Sequence, residues 1–261
     1  GGFSFGGNSM KIILSPAKKM NISKDIMEPL GMPMYLDKTE QILSWMKAKS
    51  EAELKKLWGC NEKIAKVNCE RIRYMDLYHG LTPAVLAYEG LAYQYMAPAV
   101  FEDGHFAYVQ EHLRILSAFY GVLRAMDGVT PYRLEMQAKA SVCGCKDLYE
   151  FWGRSIYDAV RDDDGIIINL ASKEYAKCVE KYLEKDDKFI TISFVEKSGD
   201  KLITKGTYAK MARGEMVRYM AEMHSKDPED IKTFDRLGYV FREDLSSETE
   251  YVFERREGKQ T

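Results

Sequence analysis

The stretch GIIINL, Gly165 to Leu170, most constrains the fold. It sets three isoleucines in a row with no polar alternation. A strand that is apolar on both faces belongs in the middle of a sheet covered on both sides. A second run, MKIILS from Met10 to Ser15, has the same character and stops at Pro16. Further strands are predicted at PAVLAY (Pro83 to Tyr88), LRILS (Leu113 to Ser117) and FITISF (Phe189 to Phe194). KSGDK, Lys197 to Lys201, is a hairpin turn into Leu202-Ile203. Tyr239 to Arg242 and Glu250 to Phe253 alternate apolar and polar residues, as antiparallel outer strands do.

Helical spacing fills the gaps. From Asp37 to Tyr78 the pattern gives three helices. Ser50 and Glu53 form a capping box for the second, and Gly59 stops it. Asn61 is the N-cap of the third. Asp147 caps a helix carrying Leu148, Phe151, Trp152, Ile156, Ala159 and Val160. Ser172 is a plausible N-cap for the next one. A long helix runs from Thr207 to Met223. There are no internal repeats and no evident linker. The expectation is one α/β domain over residues 10–257: a mixed sheet with surrounding helices and an inserted helical hairpin over about residues 50–77. The first nine residues, GGFSFGGNS, read as an expression scar outside the fold.

Charge excludes one class of partner interaction. The 261 residues carry 38 Lys and Arg against 40 Asp and Glu, a formal net charge of −2. Binding of nucleic acid by bulk charge calls for a basic chain, so any polyanion site must be local. KLITKGTYAKMARGEMVRYM, Lys201 to Met220, is such a local excess, with five cations against Glu215 alone. No run reaches the roughly 18 apolar residues of a membrane span, and no secretion signal follows Met10. The five cysteines, an odd number, suit reduced thiols in a cytoplasm. Cys143 and Cys145 are the one close pair, and no second pair completes a zinc site. No metal or cofactor is expected. His105 and His112 lie seven apart and can share the face of a surface helix.

Four stretches can carry chemistry. Leu57 to Asn61 is a tight αα turn; the N-terminal amides of its second helix can meet a phosphate, with Lys63, Lys66 and Arg71 close by. It has Gly59 but not the second glycine of a full helix-hairpin-helix, so a plain αα-hairpin is the stronger reading. In AKMARGEM, Lys210 and Arg213 share a helix face. Gly214 falls mid-helix, where it costs about 1 kcal/mol against Ala, so it implies close approach by a backbone or a ligand. In SPAKKM, Lys18 follows a strand end, where open α/β sheets collect ligands. In INLASKEY, Asn169 is polar where the pattern is apolar; a capping and packing role is the favoured reading, with a site as the alternative. Arg124 and Arg133 sit in the apolar stretch SAFYGVLRAMDGVTPYRLEMQAK; they are ion-pair partners or they face an anion. The P-loop, GxGxxG, GxSxG and HExxH patterns are absent. Glu135 and Glu174 can act as acid and base, but nothing in the sequence pairs them.

SPAKKM, HLRILSAFYGVLRAMDGVTPYRLEM, KDLYEFWG, INLASKEY and ISFVEKSGDKLITKGTYAKMARGEM together resemble the YaaA family. They span nearly the whole chain in order. One stretch departs: the family's Gly-Asp-Val-Tyr-x-Gly-Leu is Gly90-Leu91-Ala92-Tyr93-Gln94-Tyr95-Met96 here. The resemblance implies the α/β architecture called the cantaloupe fold. It also implies a cytoplasmic, DNA-binding protein of the peroxide response, linked to repair, with a positive cleft and a helix-hairpin-helix. On that reading Lys18, Arg124, Arg133, Lys210 and Arg213 form the cleft for duplex or branched DNA. Gly59, Asn61 and Lys63 grip a second run of phosphates. Tyr132, Glu135 and Asn169 support the cleft, with Glu135 steadying one of the arginines. Oligomerisation on DNA is compatible. About five neutralised phosphates would give a slope of log K against log salt of about −4 to −5. The alternatives are an enzyme acting on a nucleotide or phosphorylated small molecule in the same cleft, and an adaptor for repair or iron-handling proteins.

Overall fold

In a computed structural model of the chain, residues 10–22 and 27–256 are described. The N-terminal nine residues lie outside them, as does residue 257. The chain begins with β1 (Lys11–Leu14) and β2 (Lys19–Met20). Helices α1 (Leu36–Lys47), α2 (Glu51–Trp58) and α3 (Glu62–Arg73) follow. Next come β3 (Thr82–Pro83), α4 (Ala84–Ala87), β4 (Tyr88–Glu89), α5 (Leu91–Met96) and α6 (Asp103–His112). Strands β5 (Leu113–Ser117), β6 (Gly121–Arg124) and β7 (Gly128–Val129) precede α7 (Leu148–Trp152) and α8 (Ser155–Val160). The chain then builds β8 (Ile166–Leu170), α9 (Lys173–Glu180), β9 (Lys188–Ser198), β10 (Lys201–Ile203), α10 (Gly206–Met223), β11 (Tyr239–Phe241) and β12 (Glu250–Arg255).

The main sheet has eight strands, in the order β11-β12-β9-β8-β1-β5-β6, with β10 hairpinned onto β9. Its centre is parallel: β12 with β9, β9 with β8, β8 with β1, and β1 with β5. β1 and β8 are indeed the buried middle. Ile12, Ile13, Ile167 and Ile168 are fully buried, and their branched side chains fill the pleats under the covering helices. From β1 the chain crosses towards β5; from β8 it crosses the other way, towards β9. The connections therefore diverge between β1 and β8, which makes that seam the topological switch point of the sheet.

The caps read from sequence at the hairpin are present. The Ser50 hydroxyl accepts from the Glu53 amide while the Glu53 carboxylate accepts from the Ser50 amide, Gly59 closes α2 in the left-handed region, and Asn61 accepts from the Ile64 amide.

Several expectations need correction. Pro83 to Tyr88 is not a strand. All four residues of α4 are buried, so the run shows no period, and its alanines favour a helical turn. The predicted helix beginning at Asp147 breaks at Gly153, whose φ of 51° and ψ of −131° end α7 before α8 starts. β12 is antiparallel to β11 as expected, but parallel to β9, so it is not a simple outer meander. His112 is not on a surface face: it is 3% exposed, and its Nδ1 donates to the Met10 carbonyl at 2.7 Å.

Candidate functional site

A cavity of about 560 Å³ opens over the switch point. Its floor is the chain leaving β1 (Leu14 to Lys19) and the end of β8 (Leu170 and Ser172). Ser15 and Ser172 tie the two strand ends together. The Ser15 hydroxyl accepts the Ser172 amide at 2.8 Å and donates to the Ser172 hydroxyl at 3.2 Å. Ser172 holds the N-cap position of α9, but its side chain makes this bond rather than capping the helix. Asn169 sets the turn beneath: its carbonyl oxygen accepts the Ala171 amide at 2.9 Å, and its amide donates to Thr191 Oγ1 at 3.2 Å.

The walls are Glu89 to Tyr93, Tyr132 to Glu135, Glu174 and Tyr175, and Lys210 and Arg213 of α10. Tyr93 donates to the Ser15 carbonyl at 2.8 Å, which fixes the first turn of α5 against the floor. Tyr132 is buried and exchanges hydrogen bonds with Ser117 (2.6 Å) and Tyr88 (2.7 Å). Burial pushes its phenol up to about 12, so it stays a neutral wall.

The charged groups divide sharply. Lys18 pairs with Glu135 at 3.0 Å and Lys19 with Glu89 at 3.4 Å. Glu174 accepts the Gln137 amide at 3.0 Å. Arg133 and Arg213 pair with nothing among the described residues, and the Nε of each is buried without an acceptor. Burial lowers the Arg213 pKa from its ordinary value; the one opposing influence is the nearby Tyr239. Lys210, one turn before Arg213, is exposed and unpaired among the described residues. Two half-buried guanidiniums, each with a buried Nε and no carboxylate partner among the described residues, thus line one concave site, a chemistry that suits an anion.

Of the residues expected at the cleft, Lys18, Tyr132, Arg133, Glu135, Lys210 and Arg213 do line the cavity, and Asn169 supports its floor. Arg124 lies elsewhere. Its Nε and Nη2 both reach Asp127 Oδ1 at 3.0 Å, and Nη2 also donates to the Met32 carbonyl. It is the ion-pair partner of the two alternatives, stapling the loop at Gly31 and Met32 to the turn after β6. Glu135 steadies Lys18, not an arginine.

Gly59, Asn61 and Lys63 are exposed on the α2–α3 hairpin and do not line the cavity. At the base of that hairpin a second cavity of about 300 Å³ gathers Lys47, Lys49 and Arg73. Sequence reasoning missed Ser15, Lys19, Glu89 and Tyr93, which only the sheet order brings together. The cysteines are free, and no cluster of three or more metal-ligating side chains occurs among the described residues. No helix among them is long and apolar enough to cross a membrane.

The fold and site thus define a mostly parallel α/β protein with a cationic cavity at its switch point. A family described as peroxide stress protein YaaA matches residues 10–245, and the chain belongs to that family. It is 65% identical over 247 residues to a UPF0246 protein of Agathobacter rectalis, covering 95% of this chain and 99% of that one. A UPF0246 protein of Lachnoclostridium phytofermentans is 52% identical over 244 residues, covering 94% and 96%. One from Pediococcus pentosaceus is 49% identical over 244 residues, covering 94% and 97%.

Proposed function

We propose that this protein serves the peroxide response by binding DNA through the switch-point cavity, limiting oxidative damage to it. One observation carries the reading: Arg133 and Arg213 converge on a single cavity with desolvated Nε atoms and no carboxylate partner. A buried guanidinium left unpaired is costly unless a ligand anion completes it. Phosphate is one of the anions whose geometry suits the planar fork.

Fluorescence anisotropy of labelled duplex and four-way junction across a salt series tests this. Three cavity cations, Arg133, Lys210 and Arg213, are free to neutralise phosphates, so log K should fall with log salt at a slope of about −3. That is shallower than five free cations would give, because Arg124 lies outside and Lys18 is engaged. A Lys210→Glu, Arg213→Glu double variant should flatten the slope. A flat response in the wild type would sink the reading.

The second reading is an enzyme or receptor for a nucleotide or phosphorylated small molecule. The concavity of the site and the carboxylates in its wall favour it, because a long polyanion would meet Glu89, Glu135 and Glu174. Turnover of such a substrate, lost in Glu135→Gln, would establish it.

A further inference from the structure

We infer that the switch-point cavity recognises a phosphomonoester, the terminal phosphate of a nucleotide or of a cut strand, rather than the internal phosphodiesters of a continuous backbone. This rests on the anion-binding reading above, and narrows it.

Charge matching is the first argument. Five cationic side chains (Lys18, Lys19, Arg133, Lys210 and Arg213) and three carboxylates (Glu89, Glu135 and Glu174) line the cavity. The surplus is two positive charges. A phosphomonoester carries about −1.5 to −2 near neutral pH, so one such group balances the site. A diester carries one negative charge, and a run of diesters would bring further charges up against the carboxylates.

Shape is the second argument. The cavity is concave and sits past the carboxyl ends of β1 and β8, the place where open α/β sheets take a compact ligand. Its volume of about 560 Å³ lies in the range of small-molecule sites. A continuous duplex cannot enter a space of this volume. A strand end or a single nucleotide can.

The third argument is donor number. A terminal phosphate offers three unesterified oxygens. Two guanidinium forks and the Lys210 ammonium supply donors for all three. An internal diester offers two. The engaged pairs, Lys18 with Glu135 and Lys19 with Glu89, then present carboxylate edges that can accept from the hydroxyls or amino groups of the attached nucleoside. Hydrolytic cleavage of a phosphodiester leaves a phosphomonoester on one side of the break, so recognition of this group separates cut from intact DNA.

The test compares short duplexes that differ only in one end group: 5′-phosphate, 3′-phosphate or hydroxyl. Anisotropy reads their affinity, with nucleoside 5′- and 3′-monophosphates and the matching nucleosides as competitors. The expected result is a preference of roughly tenfold or more for a phosphorylated end. Monophosphates should compete and nucleosides should not. The preference should vanish in Arg133→Gln and in Lys210→Glu. Lys210 is exposed, so its variant folds even if the arginine variant does not.

The arms separate the two readings. Duplex binding with a steep salt slope, indifferent to the end group and to monophosphates, overturns this inference and leaves DNA binding standing. Monophosphate binding without duplex binding supports it with a free nucleotide as the source, and removes the DNA reading. Failure of every probe to bind overturns both.

Discussion

Gly214 of α10 lies hard against the backbone of Ala92 in α5: a Cβ on Gly214 would sit 1.8 Å from the Ala92 carbonyl oxygen. The helices touch here because neither residue presents bulk, and this contact holds Lys210 and Arg213 over the first turn of α5. An exposed mid-helix glycine replaced by alanine would gain about 1 kcal/mol. Here the added methyl must push the two helices apart, and overpacking of this kind costs about 1–3 kcal/mol. Gly214→Ala should therefore destabilise on balance, lowering Tm by several degrees. It should also weaken anion binding, because Arg213 moves with its helix. A Tm equal to or above that of the wild type would refute the close packing.

Arg124→Ala should cost stability and leave anion affinity unchanged. The Asp127 side chain is 2% exposed and loses its guanidinium partner, while keeping the bond from the Arg124 amide. Breaking a fully buried pair costs about 3–5 kcal/mol; with Arg124 partly exposed, about 2 kcal/mol is expected. The pH dependence has a definite sign. Burial raises the Asp127 pKa, against the opposing bonds from Arg124. The folded state then holds the proton more tightly than the unfolded chain, so this group's contribution falls as pH rises through the acid range above the usual Asp value. Removing Arg124 enlarges the shift, so the variant's deficit should be smallest in acid. Denaturant midpoints at pH 4 and pH 7 measure this; equal deficits would argue against a buried carboxylate.

The sheet was legible from sequence because its central strands carry uninterrupted branched residues, and such runs have few other places to go. The hairpin caps were legible because Ser50, Glu53, Gly59 and Asn61 act on backbone a few residues away. The cavity was legible only in pieces. Lys210 and Arg213 share a helix face, and that is local. Arg124 and Arg133 look alike in sequence, and what separates them is Asp127, which folds back on one and not the other. Glu89 and Ser15 enter the site through the order of strands and the placement of α5, which no local pattern encodes. The same limit hid α4, whose all-round burial erases any period.

His112 should make stability depend on pH near neutrality. Its ring is buried against Tyr108, and its Nδ1–H bonds to the Met10 carbonyl. Desolvation lowers its pKa, the Met10 bond and nearby Glu111 only partly opposing this. The unfolded chain therefore takes up a proton first, near pH 6.5. Stability is fully present above that value and is lost as pH falls through it. The slope between pH 5 and 7 should shrink in His112→Gln. An unchanged slope would place the titration in another group.

Arg213→Met should make the protein more stable and less able to bind. The guanidinium is largely desolvated, has no carboxylate and leaves its Nε without an acceptor. An apolar side chain of similar length keeps the packing of the stem and removes the uncompensated charge, a change that is commonly worth about 1 kcal/mol or more at sites shaped for a ligand. That corresponds to a rise in Tm of about 2–4 °C for a chain of this size. Phosphate or a nucleoside monophosphate should raise the wild-type Tm, because a ligand at 100 times its Kd adds about 2.7 kcal/mol to the folded state. The same addition should leave Arg213→Met unmoved. The opposite pattern, a variant that melts lower and still responds to phosphate, would mean that Arg213 is a structural residue with a partner of its own and that the anion is held elsewhere.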